Sequence, residues 1–588
     1  MSTMITNQAW HGGLPTEEEL AALAGAYFPE FDEQRCIGGI DELIQNGDTT
    51  VFSDMAEKAG SVWSGYESAA SQYGDAVNVV PGYTAPQFNT TAETASGHAA
   101  PQYSGLPDQT VRTNVLQYGL AEAEYENLVG ELLSLSGIEQ KQTEKEAASG
   151  YYAPVVVSKD AAQTGDAVRP VQADPAGQKH NSRIMVGSKT LEQIRSDFPI
   201  LSEKVNGHDL VWLDNGATTQ RPKAVIDRLT HYYEHENSNV HRGAHALAAR
   251  STDAYEAARQ TVADFIGAGN KDNIIFVRGT TEGINLVAHA YVKQYLSHGD
   301  EIIVTLLEHH ANIVPWQLVA QETGAVLKVV PVDESGQIIL SEYEKLFTKR
   351  TKFVSATHVS NALGTVTPVA ELVAIAHRHG VRILIDGAQS VAHIPINVTT
   401  LDADFFVFSG HKIFAPTGIG AVYGKKELLE DARPYHGGGN MIADVTFERT
   451  LYNPAPNKFE AGTGSIADAV GMGAALDYLN RIGMPAVNAH EHELLLYATK
   501  EMKKIPGLHL VGTAANKASA LSFKLDGVSD EAVGKRLDEY GIAVRVGHHC
   551  AQPILRHFGL ESVVRPTLAL YNSPEDIDAL VKAIRTLV

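Results

Sequence analysis

Cysteine is nearly absent: the 588 residues hold two, Cys36 and Cys550. Two thiols cannot make a disulfide framework, and the expected compartment is the reducing cytoplasm. Basic charge is also short, with 47 Lys+Arg against 70 Asp+Glu and a formal net charge of -23. That balance argues against nucleic acid as a partner, because phosphate contacts need clustered Lys and Arg, and against an anionic membrane surface. No uninterrupted apolar run approaches the ~18 residues of a membrane-spanning helix. The opening MSTMITNQAWHGGLPTEEEL has neither the basic start nor the apolar core of a secretory signal. What remains, 44% hydrophobic and 20% charged residues, is the composition of an ordinary globular protein, and the length suggests several domains or two large ones.

The charge is unevenly spread. Residues 1–185 hold 25 Asp+Glu against 9 Lys+Arg, and the rest of the chain holds 45 against 38. Thr16 followed by Glu17, Glu18 and Glu19 reads as a helix start, with Leu20, Leu23 and Tyr27 near helical spacing. Residues 78–112 are rich in Pro, Gly, Thr and Ala without a sustained period, and read as disordered. Residues 118–135 fit one amphipathic helix through Leu120, Tyr125, Leu128, Leu132 and Leu133. Residues 138–183 are polar again. The whole segment is too polar to build a core, but it keeps aromatic islands, two of them in a short echo at Ala85–Phe88 and Ala100–Tyr103. Such islands suit a mobile arm that docks on a partner; a solvating linker is the plainer reading.

From about residue 186 the texture changes. SKTLEQIRSDFPIL opens a helix, and strand-length apolar runs then alternate with helical patterns: NIIFVRG, EIIVTLLE, VLKVVPV, KFVSATHVS, VRILIDGAQ and DFFVFSGHK. This alternation predicts a parallel or mixed sheet covered by helices, with ligands at the carboxyl ends of the strands.

The polar motifs fall at those ends. Ser409-Gly410-His411-Lys412 follows DFFVFS, where a lysine amine can project into a cleft and form a Schiff base with a carbonyl cofactor. Alone it reads equally as a solvated loop. Asp386 ends the strand VRILID ahead of Gly387, Ala388 and Gln389, and a carboxylate there could pair with a protonated pyridine ring or merely cap a helix. Arg278–Asn285 passes from strand to helix with Thr280 and Thr281 at the turn, a phosphate cradle or an ordinary cap. Glu308-His309-His310 puts an imaidazole where it could lie on such a ring, or simply on the surface. Arg545-Val546-Gly547-His548-His549-Cys550 sets one of the two cysteines beside basic side chains, the surroundings in which reactive thiolates are found; most free cysteines are instead buried and inert. Arg565 is a candidate fork for a carboxylate, or half of a structural ion pair.

Together the motifs resemble the fold-type I pyridoxal-phosphate enzymes of the class V aminotransferase family, and within it the group II cysteine desulfurases and selenocysteine lyases. LDNGATTQRP, NVHRGAHALA, FVRGTTEGINLVA, LEHHANIVPWQ, THVSNALGTV, ILIDGAQS, FVFSGHKIFAPTGIGAVYG, HGGGNMI, FEAGT and AVRVGHHCAQP occur in family order. The resemblance implies an α/β large domain with a mostly parallel seven-stranded sheet, at about 210–475. It implies a smaller α/β domain from 186–209 and 476–588.

It also implies pyridoxal 5'-phosphate as cofactor and no metal. Lys412 would carry the Schiff base, with Asp386 and Gln389 on the pyridine ring and His309 stacked over it. Thr280, Thr281, Ser409 and His411 would hold the phosphate, with Thr463 of FEAGT reaching in from the second subunit of a homodimer. Asn361 and Arg565 would bind the substrate carboxylate, His241 and Arg545 would line the pocket, and Cys550 would take sulfur from L-cysteine. His309 would protonate or deprotonate the substrate thiol. The short loop around Cys550 resembles the form that hands sulfur to an acceptor protein or a small thiol. A selenocysteine lyase is the alternative within the family. A shell-binding scaffold with a vestigial site is the alternative outside it. The extra residues 1–185 resemble the arms of cysteine desulfurases carried as cargo inside encapsulin nanocompartments, which implies an encapsulin shell protein as a further partner.

Overall fold

The computed structural model of the protein describes residues 184–240 and 245–588. The expectations placed on residues 1–183, among them the helix at 118–135, the stretch at 78–112, the shell-addressing arm and Cys36, lie outside the described residues, as does His241.

The first helix, α1 (Leu191–Ser196), is held by a capping box in which Gln193 N donates to Thr190 Oγ1 and Thr190 N donates to Gln193 Oε1. It is shorter than the SKTLEQIRSDFPIL pattern suggested. Pro199 forces Phe198 out of the helical region, to φ -110°, and the chain resumes only as a 3₁₀ turn, Pro199–Ser202.

Seven apolar runs make the central sheet: β1 (Ile274–Val277), β2 (Glu301–Thr305), β3 (Val326–Val330), β4 (Thr351–Thr357), β5 (Arg382–Asp386), β6 (Phe405–Ser409) and β7 (Gly420–Gly424). Their order is β1-β7-β6-β5-β4-β2-β3. The ladders from β6 through β3 are parallel, and β7 runs antiparallel to both neighbours. Strand alternation sends Ile303, Val354, Ile385, Phe406 and Phe408 into one buried layer and Ile302, Val304, Phe353, Leu384 and Val407 into the other. With both faces covered, the strands read in sequence as continuous apolar runs rather than as alternating ones.

Helices α2 (Lys223–His235) and α3 (Ala246–Phe265) pack against the later helix Ile466–Ile482. A hairpin, Ile442–Val445 with Thr450–Tyr452, projects beyond the sheet and exposes Val445, Phe447, Leu451 and Tyr452. Farther along, β8 (Leu508–Leu510), β9 (Phe523–Leu525), β10 (Arg545–Gly547) and β11 (Val563–Arg565) form a second, antiparallel sheet in the order β8-β9-β11-β10. Leu494, Leu495, Phe523, Val533, Val564 and Ile577 share its core. Val211–Trp212 pairs in parallel with Ile542–Ala543, which brings the LDNGATT loop alongside this second sheet.

Candidate active site

Between the carboxyl edge of the large sheet and the end of the small one lies a cleft of about 270 Å³. Its lining includes Thr280, Thr281, His309, Asn361, Asp386, Gln389, Ser409, His411, Lys412, Arg545, Cys550 and Arg565, twelve of the fourteen residues singled out in the sequence. Thr463 is exposed and does not line it.

Lys412 ends a 3₁₀ turn, Gly410–Lys412, that follows β6 directly. Burial pulls its ammonium down to about 8, although the charge of Asp386 works in the opposite direction. Asp386, the last residue of β5, is 3% exposed, and its Oδ1 accepts from Ala388 N at 2.9 Å. Burial pushes its carboxyl above the ordinary range. A buried carboxylate of this kind calls for a donor or cation opposite it.

On the neighbouring edge, Ser409 Oγ accepts from Thr280 N at 2.8 Å and lies 2.9 Å from Thr280 Oγ1. Part of the backbone N–H set at the turn is therefore committed inside the protein, and of the two hydroxyl protons one lies in the bond between them, which leaves a single one for a ligand. Gln389 Nε2 is committed as well, donating to Gly216 O at 2.8 Å and fixing the LDNGATT loop in the cleft wall. A Cβ at Gly216 would come within 3.0 Å of Thr567 Cγ2 and 3.1 Å of Arg565 Nη2, so any larger residue there would press on the arginine.

His309 follows β2. Its Nδ1 accepts from Ala311 N at 3.0 Å. Burial, reinforced by the charge of Lys412, drives its imidazole to about 3. A neutral ring with Nδ1 used as an acceptor carries its proton on Nε2. His309 therefore faces the cleft as a donor, which narrows the proton-giving or proton-taking role expected from the sequence. His411 is likewise held neutral, at about 4, mainly by burial.

Beneath His309, Glu308 is wholly buried. Its Oε1 accepts from Thr305 Oγ1 at 2.6 Å and Thr357 N at 2.9 Å, and its Oε2 from Asn312 Nδ2 at 2.5 Å. Burial outweighs these three donors and raises the carboxyl to about 8. The sequence offered no signal for this network beyond the acid next to His309.

The opposite wall comes from β10, β11 and the turn that carries Cys550. Arg565, 2% exposed, donates from Nη1 to Asn361 O at 2.9 Å and from Nη2 to Asp214 Oδ1 at 3.3 Å. Burial lowers its guanidinium to about 10. Its Nε has no partner, nor has Asn361 Oδ1. Cys550 is half-buried, and both it and His549 adopt left-handed backbone, φ +54° and +52°. Three bonds hold this strained turn in place: Asn361 Nδ2 to His549 O at 2.7 Å, His310 N to Cys550 O at 2.7 Å, and Cys550 N to His548 Nδ1 at 3.0 Å. His549 and Gly216 also line the cleft; both stand inside the motifs AVRVGHHCAQP and LDNGATTQRP, but no residue-level pattern there marks them as site residues.

Residues 211–580 match the family described as Aminotransferase class-V. A cysteine desulfurase of Synechococcus elongatus is 62% identical over 397 residues, covering 68% of this chain and 63% of that protein. A probable cysteine desulfurase of Mycolicibacterium paratuberculosis is 59% identical over 430 residues, covering 71% of this chain and 63% of that protein. The chain thus spans less than two thirds of the length of these two relatives. Among solved structures, the Escherichia coli cysteine desulfurase in its S-sulfonic acid form superposes with a TM-score of 0.64 at 39% identity, over 68% of this chain and 98% of that one. The shared architecture is the fold-type I α/β fold, and with over half its length matched this chain belongs to the class-V aminotransferase family.

Proposed function

We propose that the protein is a pyridoxal-phosphate-dependent cysteine desulfurase that removes sulfur from L-cysteine, releases L-alanine and leaves a persulfide on Cys550. The observation that carries this reading is the meeting of Lys412, Asp386 and Cys550 in one cleft, beside a buried arginine whose Nε lacks a partner. Relatives named cysteine desulfurases support it.

The residues present fit the cofactor. Lys412 would hold its aldehyde, Asp386 its ring nitrogen, and Thr281, Ser409 and His411 its phosphate, while His309 would cover the ring. Asp386, buried at the end of β5, is the acid such a nitrogen requires. When bound, the cofactor supplies an electron sink that makes the substrate Cα–H acidic. Lys412 Nζ, with its ammonium pulled down by burial, takes the Cα proton at a pH where an ordinary lysine is fully charged. Arg565 and Asn361 orient the substrate carboxylate. Cys550 Sγ attacks the substrate sulfur as the carbon–sulfur bond breaks, and the neutral His309 ring steadies the substrate by a hydrogen bond donated from Nε2. Arg545 belongs to the cleft wall, and His241 is kept as a pocket residue from the family resemblance alone.

Three further elements belong to it. The exposed hairpin and the Thr463 loop serve a homodimer in which Thr463 of one subunit reaches the other's phosphate site. The persulfide passes to an acceptor protein or small thiol. The acidic, aromatic-dotted residues 1–185 load the enzyme as cargo into an encapsulin nanocompartment in the cytoplasm. The domain division at about 210–475, flanked by 186–209 and 476–588, is part of the same reading.

Incubating the purified protein with pyridoxal phosphate and L-cysteine should yield alanine and a persulfide on Cys550, detectable by mass spectrometry. Alanine formed only from selenocysteine would favour the lyase, and no turnover of either would leave the scaffold. Light scattering should give a dimer. Deleting residues 1–185 should leave turnover nearly intact and abolish co-purification with the shell protein.

A further inference from the structure

His549 is a buried group for which the mechanism above has no use. It is 5% exposed and lies in the cleft wall immediately before Cys550. Its Nε2 lies 3.2 Å from Val563 O, a carbonyl that can only accept, so Nε2 carries the proton and Nδ1 is left with a bare lone pair. That Nδ1 is buried and has no partner. Burial and the charge of Arg565 keep the ring neutral, with its imidazole pushed to about 3, so Nδ1 is an acceptor and a poor base. The ring cannot easily turn away, because Asn361 Nδ2 pins the His549 carbonyl and Val563 O holds its far side.

Two other orphan atoms belong to the same hydrogen-bonded set. Arg565 Nε is an unused donor and Asn361 Oδ1 an unused acceptor, and Arg565 Nη1 is bonded to the Asn361 carbonyl. A buried wall with unpaired polar atoms loses stability unless a ligand completes it. In the reading proposed above, on which this inference rests, the carboxylate of cysteine goes to Arg565 and its amine to the cofactor side. The one polar atom of the substrate left to place is its sulfur, which must approach Cys550, the residue next to His549.

We propose that His549 Nδ1 accepts a hydrogen bond from the S–H of the substrate, making His549 a specificity-determining residue that favours amino acids with a donor on the β-substituent over those without one. His309, whose Nδ1 is occupied by Ala311 N, cannot take this part.

The test is ligand binding to holoenzyme in a Cys550→Ala background, which stops sulfur transfer, followed through the cofactor's absorbance. His549→Gln can keep the donor to Val563 O but removes the acceptor at Nδ1. His549→Asn places an amide oxygen near Nδ1 and tolerates the left-handed backbone well. His549→Gln should weaken L-cysteine about three- to ten-fold, the scale of one net hydrogen bond, and leave L-alanine within about two-fold. His549→Asn should recover part of the lost preference. Parallel weakening of both ligands by His549→Gln would mark His549 as merely structural, and an unchanged cysteine-to-alanine ratio would also overturn the proposal. If His549 instead serves the thiol of Cys550, His549→Gln in the otherwise native holoenzyme will change the rate of Cys550 alkylation by iodoacetamide with that ratio unchanged, again overturning it. Failure of the native holoenzyme to form alanine from cysteine would sink the functional reading itself, a result separate from either.

Discussion

The two walls of the cleft are built differently. Along the large sheet the polar side chains largely satisfy one another: Thr280 with Ser409, His309 with Ala311, Gln389 with Gly216, and Glu308 with three donors. Along the small sheet, Arg565 Nε and His549 Nδ1 are buried without partners, as is Oδ1 of Asn361, which is bonded to both residues from the loop after β4. A satisfied wall keeps its shape whether or not a ligand is present. A wall with orphan atoms depends on one, because each buried unpaired group costs about 1–3 kcal/mol. The contrast separates a holding half from a selecting half, and mutations on the two should differ in kind as well as in size.

The largest effect is expected at Lys412. Lys412→Ala should cut alanine formation by about 10⁴-fold or more, because the same amine both holds the cofactor and moves the Cα proton. In protein freed of cofactor the Lys412 amine should react with an aldehyde probe with a midpoint near pH 8, since its neutral form grows as pH rises through the value set by burial. Stopped-flow absorbance checks both points. Cys550→Ala should remove persulfide formation from cysteine while leaving cofactor uptake at the native level, read from the spectrum of the purified variant and the alanine yield. On the selecting wall, Arg565→Lys should weaken amino-acid binding about 10- to 100-fold, as a buried charge-assisted fork is lost, with cofactor content unchanged. An equal loss of cofactor would erase the distinction between the walls.

The smallest effect tests the holding wall itself. The carboxyl of Glu308 is raised by burial from about 4.5 to about 8. Between those values the folded state binds more protons than the unfolded chain, so this group's contribution falls as pH rises from about 4.5 towards 8. Glu308→Gln keeps most of the hydrogen-bonding shape without the titration. Its melting temperature relative to the native protein should climb by several degrees over that range. Thermal scans at several pH values decide it, and a flat difference would mean that Glu308 does not change its protonation there.

Much of the holding wall was legible in the sequence, because its residues lie at or a few positions past the ends of apolar runs that are buried on both faces. Lys412 follows DFFVFS, Asp386 ends VRILID, and His309 lies just past EIIVTLL. Run length and position were enough to place them. The selecting wall was less legible, because its shape comes from contacts between distant residues. Asn361 meets His549 across 188 positions, and Arg565 meets Asn361 across 204. No local pattern reveals which nitrogen of His549 is left bare, or, on the holding wall, that Gln389 is spent on the protein itself. The shortened α1 is a smaller case, in which the apolar spacing ran on past the point where Pro199 ended the helix.

The reversed strand β7 bears on how the chain is made. β1 lies at an edge of the sheet, and its one strand neighbour there is β7, with Tyr423 registered against Ile274. During synthesis the apolar run Ile274–Val277 leaves the ribosome long before any strand exists to pair with it. The Thr280–Ser409 bond, which spans 129 positions, must wait as well. Pairing over such separations is slow, and an unpaired apolar strand in the meantime invites association between chains. Synthesis interrupted before Gly420 should therefore leave an aggregation-prone fragment, whereas a pause after Gly424 should release a chain that can close the corner around Thr280.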